Sequence, residues 1–172
     1  GLQVSGLTNI VINHVFGGQI SGGVNIAKGA LMGVQVSGLS NIVHKYSFGL
    51  QLAGLWNSSV QSMDGFQLSG LMNYTKGELY GVQISSFNKA GYIEGKNSYE
   101  NDQPTGVQIG LVNAAKKMNG FQIGLINYAK RSQGTQIGLI NIYRGGKDVG
   151  TRDGTAIGLI NVGDVFDISA YA

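Results

Sequence analysis

The feature that most constrains the fold is a unit of 14 to 16 residues that occurs ten times along the 172-residue chain. Each unit carries the signature Gly-x-Gln-(Ile/Val/Leu), a small residue, an apolar pair and then Asn. A unit this short cannot bury its own apolar face, so neighbouring copies must pair or stack. The sequence therefore predicts a single repeat domain over residues 1–172. Because Gly1 already stands within a signature, we expect a processed or partial polypeptide.

Amide side chains mark equivalent structural positions in the repeats. The glutamines are Gln3, Gln19, Gln35, Gln51, Gln67, Gln83, Gln108, Gln122 and Gln136, and Ala156 takes this place in the tenth unit. The asparagines are Asn9, Asn25, Asn41, Asn57, Asn73, Asn88, Asn113, Asn127, Asn141 and Asn161. Glutamine and asparagine lie six residues apart in the first five units and five apart in the last five. The units therefore form two sub-families.

The pattern within a unit has the period of a β-strand. Over residues 120–129, Phe121, Ile123 and Asn127 alternate with Gln122 and Tyr128. This two-residue alternation, together with frequent interior glycine, predicts strands and argues against helices. The charged residues all lie outside the segments from glutamine to asparagine, so we expect charge to be confined to turns. Polar, charged insertions at about 90–105 and 145–154 predict loops.

Two all-β architectures fit these units. In a β-solenoid each unit is one coil, and the glutamines and asparagines stack in parallel, hydrogen-bonded columns. In an antiparallel meander each unit is one strand, and the sheet closes as an up-and-down barrel. A strand over 121–129 and a loop over 130–134 would pair Ala129 with Thr135 and Asn127 with Ile137, which keeps like faces together. A β-bulge at the extra residue would restore the phase in the 16-residue units. The register favours the barrel.

The barrel interpretation also predicts the environment that surrounds the strands. Strands of about nine residues and charge restricted to turns are typical of outer-membrane β-barrels, so the sequence predicts a membrane protein. Phe16, Phe48 and Tyr80 precede the first glycine of a unit, while Tyr74 and Tyr128 follow an asparagine. These aromatic residues could form interfacial girdles, or they could cover glycines at the edge of a core.

The octapeptides at 106–113, 120–127 and 134–141 share the form Gly-x-Gln-Ile-Gly-Leu-(Val/Ile)-Asn. They resemble tandem surface-repeat proteins of bacterial envelopes, such as those of spirochaetes and Bacteroidetes. The resemblance implies an exported protein of the outer membrane or cell surface, and it transfers no catalytic residues. The extra Ser or Ala in the first five units departs from this pattern.

No chemical site stands out. His14 and His44 lack neighbouring carboxylates or cysteines, and the acidic residues of the first insertion fit a solvated loop better than a cation site. We therefore expect no catalytic residue, no cofactor and no metal. A net charge of +3 is too small to indicate nucleic acid, and no small-molecule substrate is evident. The expected partners are a lipid bilayer, other envelope proteins, or both.

Two functional classes remain open. The first is a non-enzymatic outer-membrane or cell-surface structural protein, such as a subunit or scaffold of an envelope complex. The alternative is a soluble, surface-exposed β-solenoid that acts as an adhesin or partner-binding module.

Overall fold

The computed structural model describes residues 1–93, 106–144 and 154–163, and in these ranges the chain is a parallel β-solenoid of about nine turns. Every strand pair is parallel and joins equivalent residues of successive units. The strands are β1 Leu2–Ser5, β2 Thr8–Val11, β3 Val15–Ser21, β4 Val24–Ala27, β5 Leu31–Ser37, β6 Ser40–Val43, β7 Ser47–Ala53, β8 Trp56–Ser59, β9 Met63–Ser69, β10 Met72–Ile84, β11 Phe87–Ile93, β12 Val107–Met118, β13 Phe121–Ser132, β14 Thr135–Tyr143, β15 Thr155–Ile157 and β16 Ile160–Val162.

Each coil contributes to two rows of strands. The row that carries the glutamines, here called the glutamine sheet, follows the order β1, β3, β5, β7, β9, residues 79–84, 107–110, 121–124 and 135–138, and β15. The asparagine sheet follows the order β2, β4, β6, β8, residues 72–75, β11, residues 112–118, 126–132 and 140–143, and β16. Gln19 therefore pairs with Gln35, and Asn25 with Asn41.

The interior combines amide columns with a narrow apolar core. Glutamines and asparagines from the second coil onward are almost wholly inaccessible. Apolar side chains fill the interior near the turn that leads from the asparagine sheet into the next coil. Leu31, Met63, Leu79, Ile93 and Met118 are the largest of them, each with no exposed surface. At Ser47 and Ser59 the apolar column is interrupted, and the two hydroxyl oxygens lie 2.7 Å apart in a hydrogen bond.

Glycine permits the close stacking of coils. Gly17, Gly33, Gly49, Gly65 and Gly81 form one column, and all have φ between +118° and +148°. A Cβ at Gly65 would also overlap the backbone carbonyl of Gly49 in the preceding coil. An L side chain is strained at this φ and has no room at this contact, so the position requires glycine.

The predicted antiparallel barrel is wrong. Asn127 pairs with Asn113 and Asn141, not with Ile137, and Ala129 pairs with Ala115 and Tyr143. Because the strands form a solenoid, the predictions of a β-barrel and of a membrane protein that crosses the bilayer with its strands are also wrong. The alternative architecture, the β-solenoid, is confirmed.

Two local predictions fail for related reasons. The expected loop at 130–134 is mostly strand, because β13 continues through Lys130 and Arg131 to Ser132, so charge is not confined to turns. Likewise, residues 90–93 belong to β11, and the rest of both insertions, 94–105 and 145–153, lies outside the described residues. The extra residue of the 16-residue units lies at the corner between the two sheets, at Gly22–Gly23, and not in a bulge of a paired strand.

Candidate binding surfaces

The glutamine column is continuous from Gln3 to Gln136. Each Nε2 donates to the Oε1 of the glutamine in the preceding coil at 2.7–3.0 Å. The Nε2 groups of Gln108 and Gln122 also donate to the carbonyls of Ala114 and Tyr128, which fixes the orientation of these amides. The column ends where Ala156 replaces glutamine, and the Oε1 of Gln136 is buried there without a hydrogen-bond donor.

The asparagine column runs in the opposite sense. Each Nδ2 from Asn9 to Asn141 donates to the Oδ1 of the asparagine in the following coil at 2.8–3.2 Å. The same Nδ2 donates to a backbone carbonyl of the following coil at 2.7–3.0 Å. All nineteen positions named from the sequence therefore lie in the two columns, and all except the exposed Gln3 of the first coil are buried. The buried amides hold the coils in register and are not presented to a ligand.

The outward surface is unusually apolar. Side chains on the outer side of the glutamine sheet include Phe16, Phe48 and Phe66, which are 61%, 54% and 57% exposed. Along the corner after this sheet, exposed leucines form a second strip, called the leucine edge: Leu7, Leu39, Leu55, Leu71, Leu111, Leu125, Leu139 and Leu159. Soluble monomers rarely expose contiguous apolar patches larger than a few hundred Å² unless the patch binds a partner or a ligand. Of the aromatic residues expected to mark membrane interfaces, Phe16 and Phe48 belong to this outer face.

Charge is distributed unevenly between the two sheets. Within the described ranges, Asp64 is the one charged residue in the strand segments of the glutamine sheet. The asparagine sheet carries cations instead, concentrated in two consecutive coils. Lys116 and Lys117 lie in β12, Lys130 and Arg131 lie in β13, and together with Tyr92 they line a groove of about 180 Å³. These five residues are here called the basic groove.

The strand register places the cations of the basic groove side by side. Tyr92 pairs with Lys117, and Lys117 pairs with Arg131, so the three residues form one column across adjacent coils. Neighbouring strands lie about 4.8 Å apart, and like charges directly opposite each other destabilise a sheet. The sequence carried a signal for this cluster, since the doublets Lys116-Lys117 and Lys130-Arg131 recur one unit apart. The prediction that these doublets lie in turns is wrong, because they belong to strands β12 and β13.

The remaining candidates do not assemble into a chemical site. The Nδ1 of His14 accepts a hydrogen bond from the Ala30 amide at 3.0 Å, and His44 is exposed. No group of three or more His, Cys, Asp or Glu side chains within the described ranges could hold a metal ion. The acidic residues of the first insertion, Glu94, Glu100 and Asp102, lie outside these ranges.

The described part of the chain contains no helix that is long and apolar enough to cross a membrane. Comparison with protein-family models, with curated proteins and with solved structures found no match to this chain. The surfaces of the solenoid are therefore the features that bear on its function.

Proposed function

We propose that this β-solenoid is a non-enzymatic, partner-binding module at the bacterial cell surface, and that the glutamine sheet is its protein-docking face. The observation that carries the proposal is the inverted arrangement of side chains, with amides inside and phenylalanine, isoleucine and leucine outside. The likeness of the octapeptides to bacterial surface repeats supports the location. The partner we propose is accordingly another protein of the envelope.

The partner we assign to this face is a second copy of the chain. Ten strands spaced about 4.8 Å apart give a face about 43 Å long, and strands of three to seven residues give a mean width of about 17 Å. The resulting area, about 700 Å², is close to the roughly 800 Å² that each partner contributes to a standard stable interface. Two glutamine sheets packed face to face would thus bury enough surface for a specific dimer.

Relief and charge also suit self-association. In five consecutive coils the glycine column that includes Gly49 runs between the outward column of Phe48 and that of Leu50. The glycine column thus leaves a groove between two columns of side chains, and a side-chain column of the other copy can pack into this groove, as in packed β-sheets. Two facing copies would bring few charges together, because Asp64 is the one charged strand residue described on this face. Away from Asp64, desolvation of this face is accordingly inexpensive.

The test is the oligomeric state of the purified chain without detergent. Sedimentation velocity at micromolar concentration should show a species of twice the 18.1 kDa chain mass. Phe66→Glu places a carboxylate at the centre of the proposed interface and should yield a monomer, because the charge cannot be desolvated without a partner. Phe87→Glu is the matched control, since Phe87 is also about half exposed but lies in the asparagine sheet.

Three outcomes would overturn the assignment of a second copy. The first is a wild-type chain that stays monomeric throughout the concentration series. The second is a Phe87→Glu variant that dissociates as completely as Phe66→Glu. The third is a chain that remains monomeric alone but sediments with added phosphatidylcholine vesicles, which would favour the lipid bilayer as the partner of this face. Far-UV circular dichroism of each variant verifies that the β-structure is intact.

A further inference from the structure

We propose that the basic groove binds a linear anionic polysaccharide, whose chain runs along the solenoid axis. The groove lies on the asparagine sheet, away from the proposed dimer interface, so the two proposals are independent. Its five residues come from three successive coils and line a surface groove that crosses adjacent strands. A groove of this kind suits an extended polymer.

The arrangement of charge carries the first step of the argument. Lys116, Lys130 and Arg131 are exposed, and Lys117 and Arg131 are directly paired on neighbouring strands. An anion bound among the exposed side chains of Lys116, Lys130 and Arg131 would neutralise part of this concentrated positive charge. Arg144 extends the cationic surface into the next coil, because its backbone carbonyl accepts a hydrogen bond from the Ser132 amide. The coils thus present cations at a regular spacing of about 4.8 Å.

The aromatic residues indicate sugar rings as the carriers of the anionic groups. Tyr92 is 42% exposed and lies next to Lys117 in the same column. On the same sheet, the Tyr128 ring is 43% exposed in the strand that carries Lys130 and Arg131. A flat ring beside cations offers a hydrophobic surface for the C–H face of a pyranose and a hydroxyl for hydrogen bonding. Carboxylate or sulfate groups on such a sugar would pair with Lys116, Lys130 and Arg131.

The experiment is isothermal titration calorimetry of the full chain with defined oligosaccharides. The probes are an oligogalacturonate, which carries carboxylates, a chondroitin sulfate oligosaccharide, which also carries sulfates, and uncharged maltooligosaccharide. We expect binding of at least one anionic probe, no binding of the neutral probe, and an affinity that falls as salt rises. The two anionic probes distinguish carboxylate from sulfate as the preferred group.

Two double variants locate the site. Lys116→Gln/Lys130→Gln removes two exposed lysines from the groove and should weaken binding about tenfold or more, because two charge-assisted contacts are lost. Lys28→Gln/Lys45→Gln is the matched control, because it removes two exposed lysines from other coils with the same change in net charge. Its affinity should stay within about twofold of wild type. Equal losses in the two variants would show non-specific attraction and refute the site.

A further variant and a further probe test the choice of a sugar polymer. Tyr92→Leu should weaken binding severalfold without altering the salt dependence, because it removes a stacking surface and no charge. If an oligo-dT of equal charge bound as tightly as the best oligosaccharide, the groove would be a nucleic-acid site and the proposal would fail. The proposal would also fail if neither anionic oligosaccharide bound.

Discussion

The asparagine column offers the sharpest test of how the coils are held together. Asn127 is fully buried, and its Nδ2 donates to the Ile137 carbonyl and to the Oδ1 of Asn141, both at 2.9 Å. Its Oδ1 accepts from the Nδ2 of Asn113 at 2.9 Å. Asn127→Asp keeps the size and shape of the side chain, but the ionised form has no donor. The substitution would thus change two hydrogen bonds into contacts between oxygen atoms and preserve the third.

The cost follows from these bonds. Depriving a buried acceptor of its donor costs about 1–3 kcal/mol, so two lost donors give about 2–6 kcal/mol. A single domain is stable by only about 5–15 kcal/mol, so Asn127→Asp should lower the urea midpoint substantially. Burial raises the pKa of a carboxyl group, and the protonated form regains one donor. The loss of unfolding free energy should therefore be largest near pH 8 and shrink as the pH falls toward about 4.

Urea unfolding monitored by circular dichroism measures the loss, and Asn13→Asp is the matched control because Asn13 is exposed. The control should remain within about 0.5 kcal/mol of wild type. Hydrogen exchange adds a spatial readout, since coils interact mainly with their neighbours and protection should fall around Asn113 and Asn141 but not around Asn25. An Asn127→Asp chain with the wild-type midpoint would refute the argument that the amide column stabilises the stack.

Two further predictions concern the ends and gaps of the polar interior. Ala156→Gln should raise the unfolding free energy by about 1 kcal/mol in urea unfolding, because it supplies a donor to the Oε1 of Gln136, which otherwise has none. Ala156→Met is the control: methionine is about as long as glutamine but donates no hydrogen bond, so it should not reproduce the gain. The Oγ of Ser37 is buried without a hydrogen-bond partner, whereas the Oγ of Ser69 donates to the Oδ1 of Asn73 at 3.0 Å. Ser37→Ala should therefore leave the unfolding free energy unchanged or raise it, and Ser69→Ala should lower it by about 1 kcal/mol. Equal thermal midpoints for the two serine variants would contradict this distinction.

The sequence was sufficient to identify the repeat, the strands and the equivalent positions. It did not decide the direction of pairing, because a two-residue alternation is the same in parallel and antiparallel sheets. The recurrence of glutamine and asparagine was the more informative signal. Amide groups form long side-chain columns when identical residues stack in register, which the parallel coils provide.

Which side chains of each strand point into the interior was harder to predict. Simple alternation places Gln122 and Asn127 on opposite faces, yet both are buried. The corner between the two sheets interrupts the in-out alternation of side chains, because Leu125 and Ile126 are consecutive and both exposed. Gly124 faces the interior at this corner, since a Cβ there would lie 2.6 Å from the Nδ2 of Asn113. The usual expectation that apolar side chains face inward holds only for the narrow apolar core, because the amide columns fill the rest of the interior and satisfy one another.

The basic groove could not be recognised from the sequence alone. Lysines in a Gly-rich, polar segment resemble turn residues, and nothing in the sequence shows that β13 continues beyond Ala129. Whether Lys117 and Arg131 lie together depends on the parallel register between units. Once this register is known, the two doublets fall beside each other.

The opposed directions of the two amide columns have an electrostatic consequence for the whole stack. Glutamine dipoles all point one way along the axis, and asparagine dipoles all point the other way. In an α-helix, aligned dipoles add up to partial charges at the two termini. Here the side-chain dipoles of each coil largely cancel, so lengthening the stack builds up little charge separation between its ends. A gene encoding such units could gain or lose a repeat without a growing electrostatic cost.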